Sequence, residues 1–396
     1  MSDEYGCAYL RYEPLGMRET CRRSLQPKHK LRFRRIEMSL KLASLSVAAL
    51  GFLAGGALAD SISPDSFTAD LAVGESVTIT KTVTVSAGGP SDALIDAYFL
   101  FDTSGSMGGV INAAKAAAGD IFSTIATEFG AGVAGGVGVF SESAALPSGI
   151  APPGSVINQN VTTTTADVIS GINNVTLCNP DCGGDFPESA NTAIELVAEN
   201  ASWRPGSNRF IFAFSDASSK GSADADVIAA LAAEGIRLVS LDFGSGAFTT
   251  DMAELGAITF SSSATPGSIV DDVTAGIVEG FSEYETVSVG DLGGGGPLIS
   301  VSAVCTGADI GACVGDSAVG EYDRSVDRTF TFDVTFTRTG AGTSVFDTFA
   351  LVDGGIVATE ADRFPGPDVA PVPLPAAAWM LIAGLGGMGL LRRRQK

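Results

Sequence analysis

Asp102, Ser104 and Ser106 alternate along one short loop, Asp102-Thr103-Ser104-Gly105-Ser106-Met107. A carboxylate and two hydroxyls at alternate positions can converge on one hard cation, and Gly105 allows the turn that brings them together. The chemistry of such a set is oxygen coordination. The loop directly follows Ala97-Tyr98-Phe99-Leu100-Phe101, an apolar run that reads as a buried strand of a parallel sheet. Ligand sites in open α/β sheets lie beyond the carboxyl ends of strands, where this loop falls.

The surrounding pattern supplies the elements that would position it. From 92 to 281 strand and helix signals alternate. Positions 107–129 carry Ile111, Ala114, Ala118, Ile121, Phe122, Ile125 and Phe129 at helical spacing, the inward stripe of an amphipathic helix. A strand is expected over 133–140 and helices over 166–175 and 189–199. Phe210-Ile211-Phe212-Ala213-Phe214 reads as a second buried strand, ending at Ser215-Asp216. A helix over 223–234, a strand over 236–243 and a closing helix over 268–280 complete the series. Such alternation predicts an α/β domain with a doubly wound parallel sheet. The flanks, 60–91 and 282–365, are β-rich with glycine turns; Ser76 to Val85 and Thr329 to Phe336 are clear alternating strands. The first flank is too short for a core of its own, so the two are expected to pair into one smaller β-sandwich with the α/β domain inserted. Two separate β pieces are the other arrangement.

The Asp-x-Ser-x-Ser loop in this setting resembles the metal-ion-dependent adhesion site of von Willebrand factor A domains, and the element order over roughly half of the chain resembles theirs. Asp185-Phe186-Pro187-Glu188 resembles the Asp-x-Pro-Glu loop of integrin β A domains, where the glutamate reaches the adhesion-site metal. The resemblance implies Glu188 as a fourth ligand and Asp216 as the third-loop aspartate that binds through water. The metal is expected to be Mg2+, with Ca2+ or Mn2+ as alternatives. Gly108-Gly109 stand where the neighbouring integrin calcium site needs acids, so that site is expected to be absent. A second metal would use Asp185, but its companion asparagine is Gly183 here. Asp242 ends a strand without a motif partner and is read as structural.

Both ends carry processing signals. Met38-Ser39-Leu40-Lys41 opens a basic region, and Leu42 to Ala59 is apolar and small, ending Ala57-Leu58-Ala59. Residues 1–59 are thus a leader: 38–59 a secretory signal and 1–37 an upstream mis-start, or else a cytosolic tail on an uncleaved anchor. At the other end, 366–396 is a linker and sorting signal. Val372-Pro373-Leu374-Pro375-Ala376 precedes an apolar stretch to Leu391 and then Arg392-Arg393-Arg394. This tail resembles the VPLPA variant of the PEP-CTERM signal of Gram-negative bacteria. The resemblance implies export, transient inner-membrane anchoring through this segment alone, and processing by an exosortase-type enzyme.

Composition narrows the function. The formal charge of −21 deepens to about −30 once 1–59 and 376–396 are set aside, which disfavours nucleic acid and anionic membrane as partners. The single histidine, His29, lies in the leader. Without another, the chain lacks the means for Ser-His-Asp, Cys-His or HExxH zinc chemistry. Cys178, Cys182, Cys305 and Cys313 fall in two close pairs, which predicts disulfides 178–182 and 305–313 in an exported protein. A zinc site from all four is the other reading, although the spacings are not the usual ones. The expected function is a non-enzymatic, adhesin-like protein of the cell surface or biofilm matrix, binding a protein or acidic ligand through a metal-bridged carboxylate. A structural matrix protein with a metal-stabilised scaffold is the alternative. A third class, an assembly subunit such as a metal chelatase partner, sits poorly with export.

Overall fold

Ile95–Asp102 is buried along its whole length and runs through the interior of a six-stranded sheet. The computed structural model describes residues 59–130, 132–142, 157–178 and 186–366. The predicted leader to residue 58, the sorting motif Val372 to Ala376, Cys182 and Asp185 lie outside them. In the sheet, Ile95–Asp102 pairs in parallel with Val133–Phe140 on one side and Asn208–Ser215 on the other. Ile236–Asp242 and Ile258–Ser261 continue it in parallel, and Ile157–Thr162 closes the opposite edge antiparallel. Phenylalanines and β-branched residues fill both faces of the inner strands, so helices must cover both.

Gly108–Phe129 and Pro266–Gly280 pack on one face, burying Ile111, Ile121, Ile125, Ile269, Val273 and Ile277 against Phe99, Phe212 and Phe214. Ala190–Asn200, Asp224–Ala233 and Ala247–Glu254 cover the other, with Ile194, Val197, Leu231 and Phe248 against Tyr98, Leu100 and Ile211. This is a doubly wound α/β sheet. Three of its elements carry no clear sequence signal: the edge strands Ile157–Thr162 and Ile258–Ser261 and the helix Ala247–Glu254.

The two flanks together form a β-sandwich around one core. One sheet has the order Ser61–Ser63, Ser76–Val85, Arg328–Arg338, Ile299–Ala308. The other runs Ala312–Val314, Ser317–Asp323, Glu283–Gly290, Ser344–Val352, Gly355–Phe364, Ser66–Thr68. Strands from before and after the α/β domain are therefore neighbours; Ser76–Val85 pairs with Arg328–Arg338 over ten residues. The α/β domain is inserted into the sandwich. Its seam includes Leu94 N donating to Ile356 O and Asn208 Nδ2 donating to the same oxygen. Cys305 and Cys313 form a disulfide with Cα atoms 5.3 Å apart. Among the described residues no helix is long and apolar enough to cross a membrane.

Candidate metal centre

Asp102 is the last residue of its strand and fully buried, held where the chain leaves the sheet. Its Oδ1 accepts from the Ser104 amide at 2.8 Å, the local turn that an aspartate two residues ahead favours. Its Oδ2 accepts from Ser215 Oγ at 2.7 Å, so the neighbouring strand end fixes the other oxygen. Ser104 Oγ and Ser106 Oγ lie 3.3 Å apart, and Ser106 Oγ donates to Asp216 Oδ1 at 3.0 Å. Two loops that the sequence separates by about a hundred residues thus share one polar cluster.

Glu188 arrives from a third direction. Its amide donates to Ser218 O at 2.9 Å and its carbonyl accepts from Lys220 N at 2.7 Å, a short parallel bridge that stitches this segment to the loop after Asp216. The Ser189 amide donates to Ser141 O at 2.9 Å, which anchors the same segment to the strand end after Phe140. The side chain is only 4 % exposed, and its Oε2 has no hydrogen-bond partner among the described residues. Burial pushes the Glu188 carboxyl up to about 7, and the Asp102 charge adds to the rise; Lys220 opposes it. Burial likewise pushes Asp102 up to about 6, against the hydrogen bonds from Ser104 and Ser215. Among the described residues neither acid side chain has an ion pair, and Lys220, which opposes the Glu188 shift, pairs with Glu142.

The set has a gradient. Asp102, Ser104 and Glu188 are buried, Asp216 is half-buried and Ser106 is exposed, so the inner donors are dry and the outer ones face water. Gly244 approaches Asp216 so closely that a Cβ there would lie 2.2 Å from the Asp216 carbonyl oxygen. Any larger residue would displace the third loop. Asp242, by contrast, is satisfied internally by Gly244 N, Thr249 N and Thr249 Oγ1. Leu177 and Cys178 lie against the first loop, the Cys178 amide donating to Thr103 O at 3.0 Å. Cys178 is disulfide-bonded. The predicted second-metal ligand Asp185 is outside the described residues.

Two buried carboxylates with serine hydroxyls beside them suit a hard divalent cation, and the Glu188 oxygen without a hydrogen-bond partner among the described residues fits such a group. Asp102, Ser104, Ser106 and Glu188 would hold it, with Asp216 behind Ser106. The donors are mixed; no group of three or more His, Cys, Asp or Glu side chains forms a metal cluster among the described residues. The sequence reading missed Ser215, whose hydroxyl orients Asp102, and the Lys220–Glu142 ion pair at 3.6 Å beside Glu188. Ser215 had a signal, since it ends the apolar strand one residue before Asp216. The ion pair had none, because its partners meet only in three dimensions.

A pH dependence follows for the metal-free protein. Folded Asp102 and Glu188 keep protons that the unfolded chain releases near the ordinary carboxylate range, so stability falls as pH rises through about 6 and 7. Calorimetric melting in chelator should give a Tm lower at pH 8 than at pH 5 by on the order of 5 °C. Combining Asp102→Asn with Glu188→Gln should flatten the difference, and added Mg2+ should raise the pH 8 value most.

No family profile and no curated protein matches the chain. Solved structures similar to it include an aerotolerance-related membrane protein from Bacteroides fragilis carrying multiple mutations to serine. That match has 13% identity and a TM-score of 0.36, covering 47% of this chain and 99% of that one. Another is a von Willebrand factor type A protein from Catenulispora acidiphila, at 11% identity and TM-score 0.36, covering 80% of this chain and 76% of that one. A third is proximal thread matrix protein 1 from the mussel byssus, at 18% identity and TM-score 0.34, covering 55% and 50%. The fold described above rests on its own strand order.

Proposed function

We propose that this chain is an exported, surface- or matrix-associated binding protein whose inserted α/β domain captures an acidic group of a partner through a divalent ion. The observation that supports the reading most is the Glu188 carboxylate, buried beside Asp102 with one oxygen unpartnered. A lone buried charge is costly unless something pairs with it, and the serines and Asp216 complete an oxygen shell suited to Mg2+, Ca2+ or Mn2+. A bound ion would offer an open coordination position to a carboxylate of the partner. Asp102 and Glu188 hold the inner side, out of water. Ser106 and Asp216 hold the outer side, where a partner approaches. Ser215 and the Ser104 amide lock the Asp102 rotamer, so the site is organised before the partner arrives.

Export and surface location rest on the signal at 38–59 and the VPLPA-type tail at 372–396, with an exosortase-type enzyme as processing partner. Binding rather than catalysis is the proposed activity. The test is capture from the extracellular matrix fraction of the producing bacterium on immobilised protein. Mg2+-dependent retention released by EDTA is expected; retention unchanged in EDTA would overturn the proposal. A Tm raised by Mg2+ with nothing captured would instead favour the scaffold reading.

A further inference from the structure

The sandwich core holds a second set of charges, remote from the metal centre. Lys81 Nζ contacts Glu360 Oε2, and both side chains are 0 % exposed. Lys81 belongs to Ser76–Val85 in one sheet, and Glu360 belongs to Gly355–Phe364 in the other. The pair therefore spans the sandwich. Asp362, on the same face of the strand as Glu360, is also buried and takes a hydrogen bond from Thr348 Oγ1. The Phe336 ring centroid lies 5.2 Å from Lys81 Nζ, and Phe67, Phe346 and Phe364 pack around that ring. One lysine thus touches Glu360 in an aromatic box, with Asp362 within its electrostatic reach. Glu360 Oε1 and Asp362 Oδ1 have no hydrogen-bond partner among the described residues.

We propose that Lys81 Nζ and Glu360 Cδ condense to an internal amide that joins the two sheets, with Asp362 as the proton carrier. The step begins as Lys81 passes a proton to the Glu360 oxygen it contacts, which leaves an amine beside a carboxylic acid. Burial raises both carboxyls, Glu360 to about 7. The nitrogen lone pair attacks Cδ and the N–C bond forms. The nitrogen then gives up a proton, Asp362 relays it to the departing hydroxyl, and the C–O bond breaks. Ammonium plus carboxylate become amide plus one water, with no oxidant or further reactant. Fixed contact supplies the effective concentration that amide formation lacks in solution. The product removes one charge of each sign from the core and returns Asp362 to its starting state, still bonded by Thr348.

The position gives the bond a consequence. Residues 81 and 360 flank the whole inserted domain, so tension applied beyond them would pass through the amide and leave the metal centre unloaded. Peptide mass spectrometry of the reduced, unfolded and digested full chain is the test. A peptide joining the Lys81 and Glu360 segments, lighter by one water than their sum, is expected in nearly every molecule. Separate linear peptides with unmodified Lys81 would overturn the proposal, and fragmentation that locates the bond on Asp362 would overturn the choice of Glu360. Asp362→Asn, with an unchanged circular dichroism spectrum, should lower the linked fraction at least tenfold at matched times; an unchanged fraction would remove Asp362 from the step.

Discussion

Asp102→Asn is expected to weaken Mg2+ binding by more than ~100-fold while the fold survives. The substitution keeps the shape of the side chain. Asn Oδ1 can still accept from the Ser104 amide, and Nδ2 can meet the Ser215 hydroxyl, so the two bonds that fix this rotamer have replacements. What it removes is the charge at the innermost point of the cluster, where water contributes least. Only Glu188 would then remain as a buried acid, and burial alone already raises its carboxyl in the metal-free state. The metal-free variant should melt no lower than the parent at pH 8, because an uncompensated charge has gone. Titration calorimetry with Mg2+ at pH 7.5 or above separates the outcomes. Affinity within about threefold of the parent would mean that Asp102 is a turn residue and that the ion, if any, sits elsewhere.

The inner part of this fold is legible because burial on both faces leaves little choice of residue. Ile95–Asp102, Val133–Phe140 and Asn208–Ser215 read as strands directly, and the stripe along Gly108–Phe129 reads as a helix. The edges are not. Ile157–Thr162 is INQNVT, half-buried throughout, with no apolar run to mark it. In the sandwich, strands distant in sequence become neighbours, and the parallel pairing of Ser66–Thr68 with Gly355–Phe364 leaves no local trace. The candidate metal-site residues are readable as motif positions because they lie where strands end or helices begin on one sheet edge. Their supports, Ser215 and the Ser218–Lys220 bridge, depend on how those ends meet. Lys81 went unread, although parity marks it: it shares a strand face with Val77, Ile79, Val83 and Val85, where an alternating pattern calls for an apolar residue. Glu360 and Asp362 break the pattern of Ala358 and Phe364 in the same way. Such exceptions mark interior chemistry better than any motif in these flanks.

Arg324→Ala should destabilise the protein by roughly 3–5 kcal/mol, the effect expected when one partner of a buried ion pair is left behind. Arg324 Nη1 and Nη2 reach Asp60 Oδ1 and Oδ2 at 2.7 and 2.8 Å, a bidentate pair almost closed to solvent. Nη1 also donates to Ser86 O at 2.9 Å, while Asp60 Oδ1 accepts from the Ser86 amide at 2.8 Å. The guanidinium carbon stands 6.0 Å from the Phe281 ring and 5.7 Å from that of Tyr284, where the last helix of the α/β domain passes into the sandwich. One side chain thus ties the start of the first flank, its final turn and the domain junction. Alanine would strand Asp60 and empty the space beside both rings. Pairing Asp60→Asn with Arg324→Met removes both charges while keeping bulk, and should be less destabilising than the two single changes summed. Denaturant titration of the four proteins measures that coupling. A coupling near zero would make the pair incidental, and the junction would then be held by ring packing and strand pairing alone.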